Sequence, residues 1–262
     1  GGLGIMLVFF GAAAGLLAAG TIPPSRPFLA LLTATLIVAV ISFGDDLKPQ
    51  PSWLRFGCHA LAAMVLITAL GWPVVSVSWD AAAGFALPPW VGHALLFLWL
   101  VGYVNGFNFM DGIDGIAGAE TAVVGFGVAI VAALAGAAGG LSLIGVSLAA
   151  TATGFLWWNW PPAKIFLGDV GSIPLGFLLG WLLLLLAQQG EWAAALILPL
   201  YYLADATLTL IRRILRRERF WQAHRQHFYQ RAARGGMGHA GVTLAVLAAG
   251  IALVLSAAAA AL

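Results

Sequence analysis

Residues 173–188 read IPLGFLLGWLLLLLAQ, sixteen positions without one charged side chain. A surface helix of a soluble protein carries a polar face opposite its apolar one, and this stretch has none. Its length approaches the roughly 20 residues that a helix needs to cross a bilayer. Eight more runs of the same character surround it, at about 3–20, 28–43, 54–71, 90–107, 116–137, 140–157, 192–213 and 240–261, which makes nine candidate spans. Prolines at 23–24, 49, 51, 88–89 and 161–162 mark the joins, as residues that break helices should. The alternating stretch 73–80 (PVVSVSWD) predicts a short strand outside the membrane.

Composition agrees. Of 262 residues 62% are hydrophobic and 8% charged, with a mean hydropathy of +0.98. Ordinary soluble domains are about 25% charged. This excludes a soluble enzyme, a disordered chain and a nucleic-acid-binding domain, and leaves an all-α, polytopic transmembrane helix bundle. A single cysteine, Cys58, excludes an internal disulfide framework and a cysteine-cluster metal site.

Basic residues orient the bundle. With nine alternating spans, Lys48, Arg55, Lys164 and the eight arginines from Arg212 to Arg234 share one side, and only Arg26 falls on the other. That places the start of the chain in the cytoplasm and its C-terminus outside. On this map Asp45, Asp46, Asp111, Asp114, Asp169 and the 224–227 histidines all lie on the cytoplasmic side, with Asp80 and Glu191 outside. Polar clusters separated by apolar helices can therefore converge on one face.

Four clusters carry the chemistry. Asp45 and Asp46 stand side by side in FGDDLK (43–48), and adjacent carboxylates need a cation or a shared proton. In NGFNFMDGIDGIAG (105–118), Asn105, Asn108, Asp111 and Asp114 recur every three residues, a spacing that gathers side chains on one helix face. Amides and carboxylates together can read a base, a ribose or a hydrated metal. In NWPPAKIFLGDVGS (159–172), Asp169 stands between glycines before a span, either as a helix cap or, if Ser172 caps, as a metal ligand. Lys164 is placed to meet phosphate. HRQHFYQR (224–231) sets His224, Arg225 and His227 within a basic loop that suits phosphate or anionic lipid. Elsewhere, Asp205 inside a span reads equally as functional or as a partner of Arg212. Glu120 reads as a solvated helix end, and His59, His93 and His239 as packing or interfacial residues. The tryptophans, 11 in all, mostly mark span ends.

These motifs, in this order, resemble the polyprenyl-phosphate N-acetylhexosamine-1-phosphate transferases, of the glycosyltransferase family 4 type. The matching stretches are GDD at 44–46, NxxNxxDGxDGIAG at 105–118, NxxPAKxFxGDVGS at 159–172 and HRxHxYQR at 224–231. The resemblance implies a single integral membrane domain over 1–262 whose loops 44–53, 108–115, 158–172 and 214–239 form the active site. It implies transfer of a sugar 1-phosphate from a UDP-N-acetylhexosamine to a polyprenyl phosphate with release of UMP. It implies a Mg²⁺ cofactor, with Mn²⁺ as the substitute, a bacterial inner-membrane location, lipid contacts and no nucleic acid, and it leaves a homodimer open. Carried over by motif, Asp169 is the metal ligand, and Asp45 and Asp46 handle the lipid phosphate, its proton and the metal. Asn108, Asp111, Asp114, Asn159 and Phe166 surround the nucleotide, and His224, Arg225 and His227 hold phosphates. HRQH in place of consecutive histidines implies the O-antigen-initiating branch. The opening GGLGIMLVF resembles the end of a family stretch that follows a first helix, so the family pattern of ten or more spans implies a segment ahead of Gly1. The alternatives are an ion-coupled secondary transporter using Asp205 and the loop carboxylates, and a non-catalytic scaffold.

Overall fold

The computed structural model describes residues 1–71, 76–78, 84–136, 139–219 and 224–262. Helices occupy every predicted apolar run. They are α1 (Gly2–Ala18), α2 (Arg26–Leu47), α3 (Ser52–Ala69), α4 (Pro89–Met110), α5 (Ile116–Leu134), α6 (Gly140–Asn159) and α7 (Asp169–Gln188). After them come α8 (Trp192–Ile197), α9 (Leu200–Leu215), a short α10 (Phe228–Ala232) and α11 (Gly238–Ala260). An irregular turn over Ala233–Met237 joins the last two. Seven helical stretches are long and apolar enough to cross a membrane. The first run is the 17-residue α1, and the run at 192–213 is broken at Pro199 into α8 and α9. A proline there removes a backbone donor and clashes with the preceding turn.

Two three-residue strands, β1 (Ser76–Ser78) and β2 (Gly84–Ala86), pair antiparallel before α4. The expected strand over 73–80 is present at 76–78; positions 73–75 and 79–80, Asp80 among them, lie outside the described residues.

The bundle is organised around two helices. In α5 and α7, 83% of the spanning window is buried, against 28–39% in the other spanning helices. The sequence shows why. Both are uncharged over their central turns, and both place glycines where neighbours press close. Gly2 of α1 lies against Gly171 of α7, where an added Cβ would come within 2.4 Å of the Gly171 nitrogen. Such small-residue contacts let backbones approach in lipid. Around this pair pack α2, α4, α6 and α11, and large side chains such as Phe107, Phe177, Leu148 and Ile173 fill the centre.

Burial in α5 overturns one expectation. Glu120 is not a solvated helix end: it is 2% exposed and its Oε1 has no hydrogen-bond partner among the described residues. Because α5 starts inside the bundle, its second turn is already interior. The tryptophans divide as the span-end reading requires: Trp53, Trp90, Trp157 and Trp192 are exposed near helix ends, while Trp181 sits in the core.

Candidate active site

The C-terminal ends of α2, α4, α6 and α9 meet the N-terminal ends of α5, α7 and α11 at one end of the bundle. Hydrogen bonds between these ends assemble polar clusters that the sequence holds apart, Asp46 and Val170 by 124 positions.

The first contact is between α2 and α7. Both oxygens of the Asp46 carboxylate accept backbone N–H groups at the start of α7, from Asp169 at 2.9 Å and Val170 at 3.0 Å. Helix N-termini leave such donors unsatisfied and favour an anion. Thus Asp46 is the cap of α7. Asp169 makes no side-chain cap bond, and neither does Ser172, whose hydroxyl donates back to the Gly168 carbonyl. The sequence alternatives of Asp169 or Ser172 as the cap are both replaced. Gly168 makes this possible: its φ is +71°, and a Cβ there would stand 2.7 Å from Asp46 Oδ2.

With the cap supplied from α2, the Asp169 carboxylate is free to face a ligand. Asn108 Nδ2 donates to its Oδ1 at 2.9 Å, and Arg55 Nη1 reaches its Oδ2 at 3.4 Å. The same Arg55 nitrogen is 3.0 Å from Asp45 Oδ2. One guanidinium therefore bridges Asp45 and Asp169, and offsets part of the repulsion among three neighbouring carboxylates.

Asn108, Asp111, Asp114, Asn159, Phe166 and Asp169 line one polar cavity of about 470 Å³. Asn108, Asp111 and Asp114 do not get there as a helix face. The chain leaves α4 at Met110, and Asp111 and Asp114 lie in the turn that follows. Gly115, at φ +81°, starts α5. Asn105, the fourth member of the predicted face, bonds the Val101 carbonyl and faces a different cleft. Burial, and secondarily the nearby Asp169 charge, push the Asp111 carboxyl up to about 7.

Two of the predicted nucleotide contacts are committed to the scaffold. Asn159 accepts from Gly115 N at 2.9 Å and donates to the Ile165 carbonyl at 2.8 Å, which staples the α4–α5 turn to the α6–α7 loop. Asp114 accepts from Ala163 N at 3.1 Å and faces His239 Nδ1 at 3.3 Å. His239 is thus a cavity residue rather than a packing one, a role no local signal in the sequence announced. Phe166 is 69% exposed and stands at the cavity rim. Lys164 is not brought here. Its Nζ lies over the Trp158 ring at 5.8 Å, and it lines a separate surface pocket with Trp157 and Trp160.

The histidine loop is held by Asp205. This buried carboxylate is 3.0 Å from His227 Nδ1 and accepts from Phe228 N and Tyr229 N, each at 3.0 Å. The pairing with Arg212 is absent; Arg212 instead stands over the Phe228 ring at 5.6 Å. His224 stacks on His227 with ring centroids 4.8 Å apart. Its own burial first, then the charges of Arg213 and His227, lower it to about 4. Both histidines close one end of a largely apolar cleft of about 370 Å³ between α4 and α9, walled by Trp99, Tyr103, Phe107 and Leu210. Tyr229 Oη donates to the Phe109 carbonyl at 3.0 Å and so ties this loop to the last turn of α4. Arg225 faces elsewhere, into a cavity of arginines. Positions 220–223 of the predicted 214–239 loop lie outside the described residues.

A polar cavity with clustered carboxylates thus lies beside a largely apolar cleft. The family model described as Glycosyl transferase family 4 matches residues 28–187 of the 262, from α2 through α7. The chain belongs to glycosyl transferase family 4. Among curated relatives of this family 4 chain is a probable undecaprenyl-phosphate N-acetylglucosaminyl 1-phosphate transferase of Bacillus subtilis, 32% identical over 244 residues. That match covers 90% of this chain and 66% of the relative. Phospho-N-acetylmuramoyl-pentapeptide-transferases of Streptococcus thermophilus and Lacticaseibacillus paracasei are 31% and 35% identical, over 69% and 67% of this chain. The chain spans 54% and 56% of those two relatives, so it corresponds to between about half and two thirds of each.

Proposed function

We propose that this family 4 chain transfers an N-acetylhexosamine 1-phosphate from a UDP-sugar to a polyprenyl phosphate, releasing UMP and starting a lipid-linked cell-envelope polymer. The observation that carries the reading is the convergence at Asp169. Carboxylates from α2 and α7, an amide from α4 and the Arg55 guanidinium meet at a polar cavity beside an apolar cleft. Polyprenyl phosphate needs both surfaces, a lipid-facing groove for its chain and a charged site for its head. The match to the N-acetylglucosaminyl 1-phosphate relative, over 90% of this chain, supports N-acetylglucosamine or a close amide sugar as the donor.

Phosphoryl transfer asks mainly for positioning and charge neutralisation. Phe166 offers a face at the cavity rim for the uracil ring, while Asp111 and Asn108 meet the ribose and the phosphates. Asp114 and Asn159 hold the two loops that carry these groups. Asp45, paired with Arg55, is the carboxylate for the proton of the lipid phosphate. Asp46 positions Asp169 through the helix cap. His227, oriented by Asp205, stands at the mouth of the apolar cleft, where the lipid phosphate would arrive.

The donor set also fits Mg²⁺, which takes one or two carboxylates and completes its shell with water and substrate oxygens. Among the described residues no three acidic, histidine or cysteine side chains form a ready-made cage. Asp169 and Asp111 would hold the ion, both lining the cavity. It would supply charge to offset the diphosphate as UMP departs. Arg55, which holds Asp169 from the other side, would give way or share.

The transporter alternative loses its main support, because Asp205 is consumed by His227 and two backbone N–H groups at the bundle end. The test is UMP release by the purified protein in liposomes, across a panel of UDP-sugars. Release should require undecaprenyl phosphate, a divalent ion and an N-acetylated sugar. No release from any UDP-N-acetylhexosamine would sink the reading.

The same reading places nine spans with the cavity on the cytoplasmic side of a bacterial inner membrane. A reporter fused after Leu262 should be extracytoplasmic, and one inserted near Arg217 cytoplasmic. Finding both on one side would remove the proposed topology.

A further inference from the structure

His239 stands in the first turn of α11, and two contacts fix that turn against the connection between α4 and α5. The buried Thr243 hydroxyl donates to the Asp114 carbonyl at 2.8 Å, and His239 Nδ1 lies 3.3 Å from Asp114 Oδ2. His239 and Thr243 are four positions apart, so one face of the helix makes both contacts. Asp114 Oδ2 also accepts from Ala163 N at 3.1 Å, which holds the carboxylate from the α6–α7 loop. A carboxylate only accepts hydrogen bonds, so Nδ1 of His239 points a proton at Asp114, and this bond sets the orientation of the ring. Among the described residues Nε2 meets no hydrogen-bond partner. The side chain is 47% exposed and lines the polar cavity that holds Asp111 and Asp169.

That cavity is acidic, with Asp111, Asp114 and Asp169 on its walls. Among the described residues lining it, His239 is the one side chain able to carry a positive charge. The other basic groups of the motifs are turned elsewhere. Arg55 meets Asp169 without lining the cavity, and Lys164 lies over Trp158. Arg225 faces a separate cavity, and His224 and His227 close the apolar cleft. A diphosphate entering among three carboxylates needs positive charge from the protein as well as from a metal ion.

The geometry points to His239 as a contact to the diphosphate of the UDP-sugar, with Nε2–H donating to a phosphate oxygen while Asp114 holds Nδ1. This rests on the transferase reading of the cavity and adds a residue outside the four motifs. With an anion at each nitrogen the ring carries both protons, and its charge offsets part of that on the diphosphate. The start of α11 acts in the same sense. It has no side-chain cap, and a helix N-terminus favours an anion.

Isothermal titration of UDP and Mg²⁺ into the purified protein tests this, with substitutions that separate the two ring nitrogens. The amide nitrogen of asparagine takes the place of Nδ1, and that of glutamine the place of Nε2. His239→Ala should weaken UDP binding about thirtyfold, the scale of one charge-assisted hydrogen bond. His239→Asn can still reach Asp114 and should lose as much. His239→Gln, which gives up Asp114, should recover about tenfold. Thr243 keeps α11 docked in all three, so their unfolding temperatures should match that of the unaltered protein. Competition by millimolar uridine should be the same in all four proteins. Rescue by asparagine and not by glutamine would overturn the assignment and leave His239 as a prop for Asp114. Equal UDP binding by all four would overturn it, as would no UDP binding by the unaltered protein. A uridine loss as large as the UDP loss would overturn it by moving the contact to the nucleoside. The readout needs no turnover: this order of affinities in a protein that releases no UMP would sustain the contact while the proposed function fails.

Discussion

Asp169→Asn should reduce UMP release by about a thousandfold, the scale seen when one preorganised electrostatic contact to a transition state is removed. The unfolding temperature should hardly move. The two halves of this expectation have separate physical grounds. Stability is spared because the N-terminus of α7 is capped by Asp46, so the Asp169 side chain is not needed there. An Asn oxygen still accepts from Asn108, and Arg55 keeps Asp45 at 3.0 Å. The lost Arg55–Asp169 pair is long, at 3.4 Å, and partly solvated, which makes it worth less than about 1 kcal/mol. Activity is lost because the substitution removes the negative charge that faces the cavity. Titration of Mg²⁺ against UMP release should show a weaker apparent affinity. Normal turnover with normal Mg²⁺ dependence would move the metal to another carboxylate and leave Asp169 as a partner of Arg55.

Asp46→Ala should act on stability and turnover together. Removing a capping carboxylate costs about 0.5–2 kcal/mol, and here two N–H groups at the start of α7 lose their acceptor at once. Released, the Gly168–Asp169 turn can drift. A displacement near 1 Å at a reacting centre costs about a hundredfold in rate. Asp46→Asn should recover part of both losses, because one of its two terminal atoms still accepts an N–H while the other, now a donor, opposes one. An Asp46→Ala protein with unchanged unfolding temperature and turnover would show that the α2–α7 contact holds nothing in place.

The two substitutions separate residues that look alike on paper. Asp45, Asp46 and Asp169 are three acids at helix ends beside glycines, and only the family motif, not local composition, tells their roles apart. The structure divides their work by geometry: one carboxylate spends both oxygens on a helix end, one shares Arg55, and one faces the cavity. The same division runs through the amide and acid motif at 105–118. Spacing of three suggests one helix face, but helix α4 ends at Met110, and Asn105 is left facing the apolar cleft. Asn159 and Asp114 turn inward as staples.

Much was legible in the chain itself. Helices occupy every apolar run, because hydrocarbon leaves no water to satisfy an open backbone and only closed hydrogen-bonding patterns can cross it. The gathering of Asp45, Asp111, Asp169 and His227 at one bundle end follows from the alternation of apolar runs with polar joins. Such properties depend on local composition and on the parity of segments, which a linear string records. The structure alone decided which side chain each polar group meets. It set Asp46 under α7, Asp205 under His227, His239 beside Asp114, Lys164 away from the cavity and Glu120 in the interior. Those pairings join residues as far apart as Asp114 and His239. Hydrogen bonds and ion pairs act over about 3 Å, so they depend on helix rotation and packing distance, and no spacing along the chain encodes either.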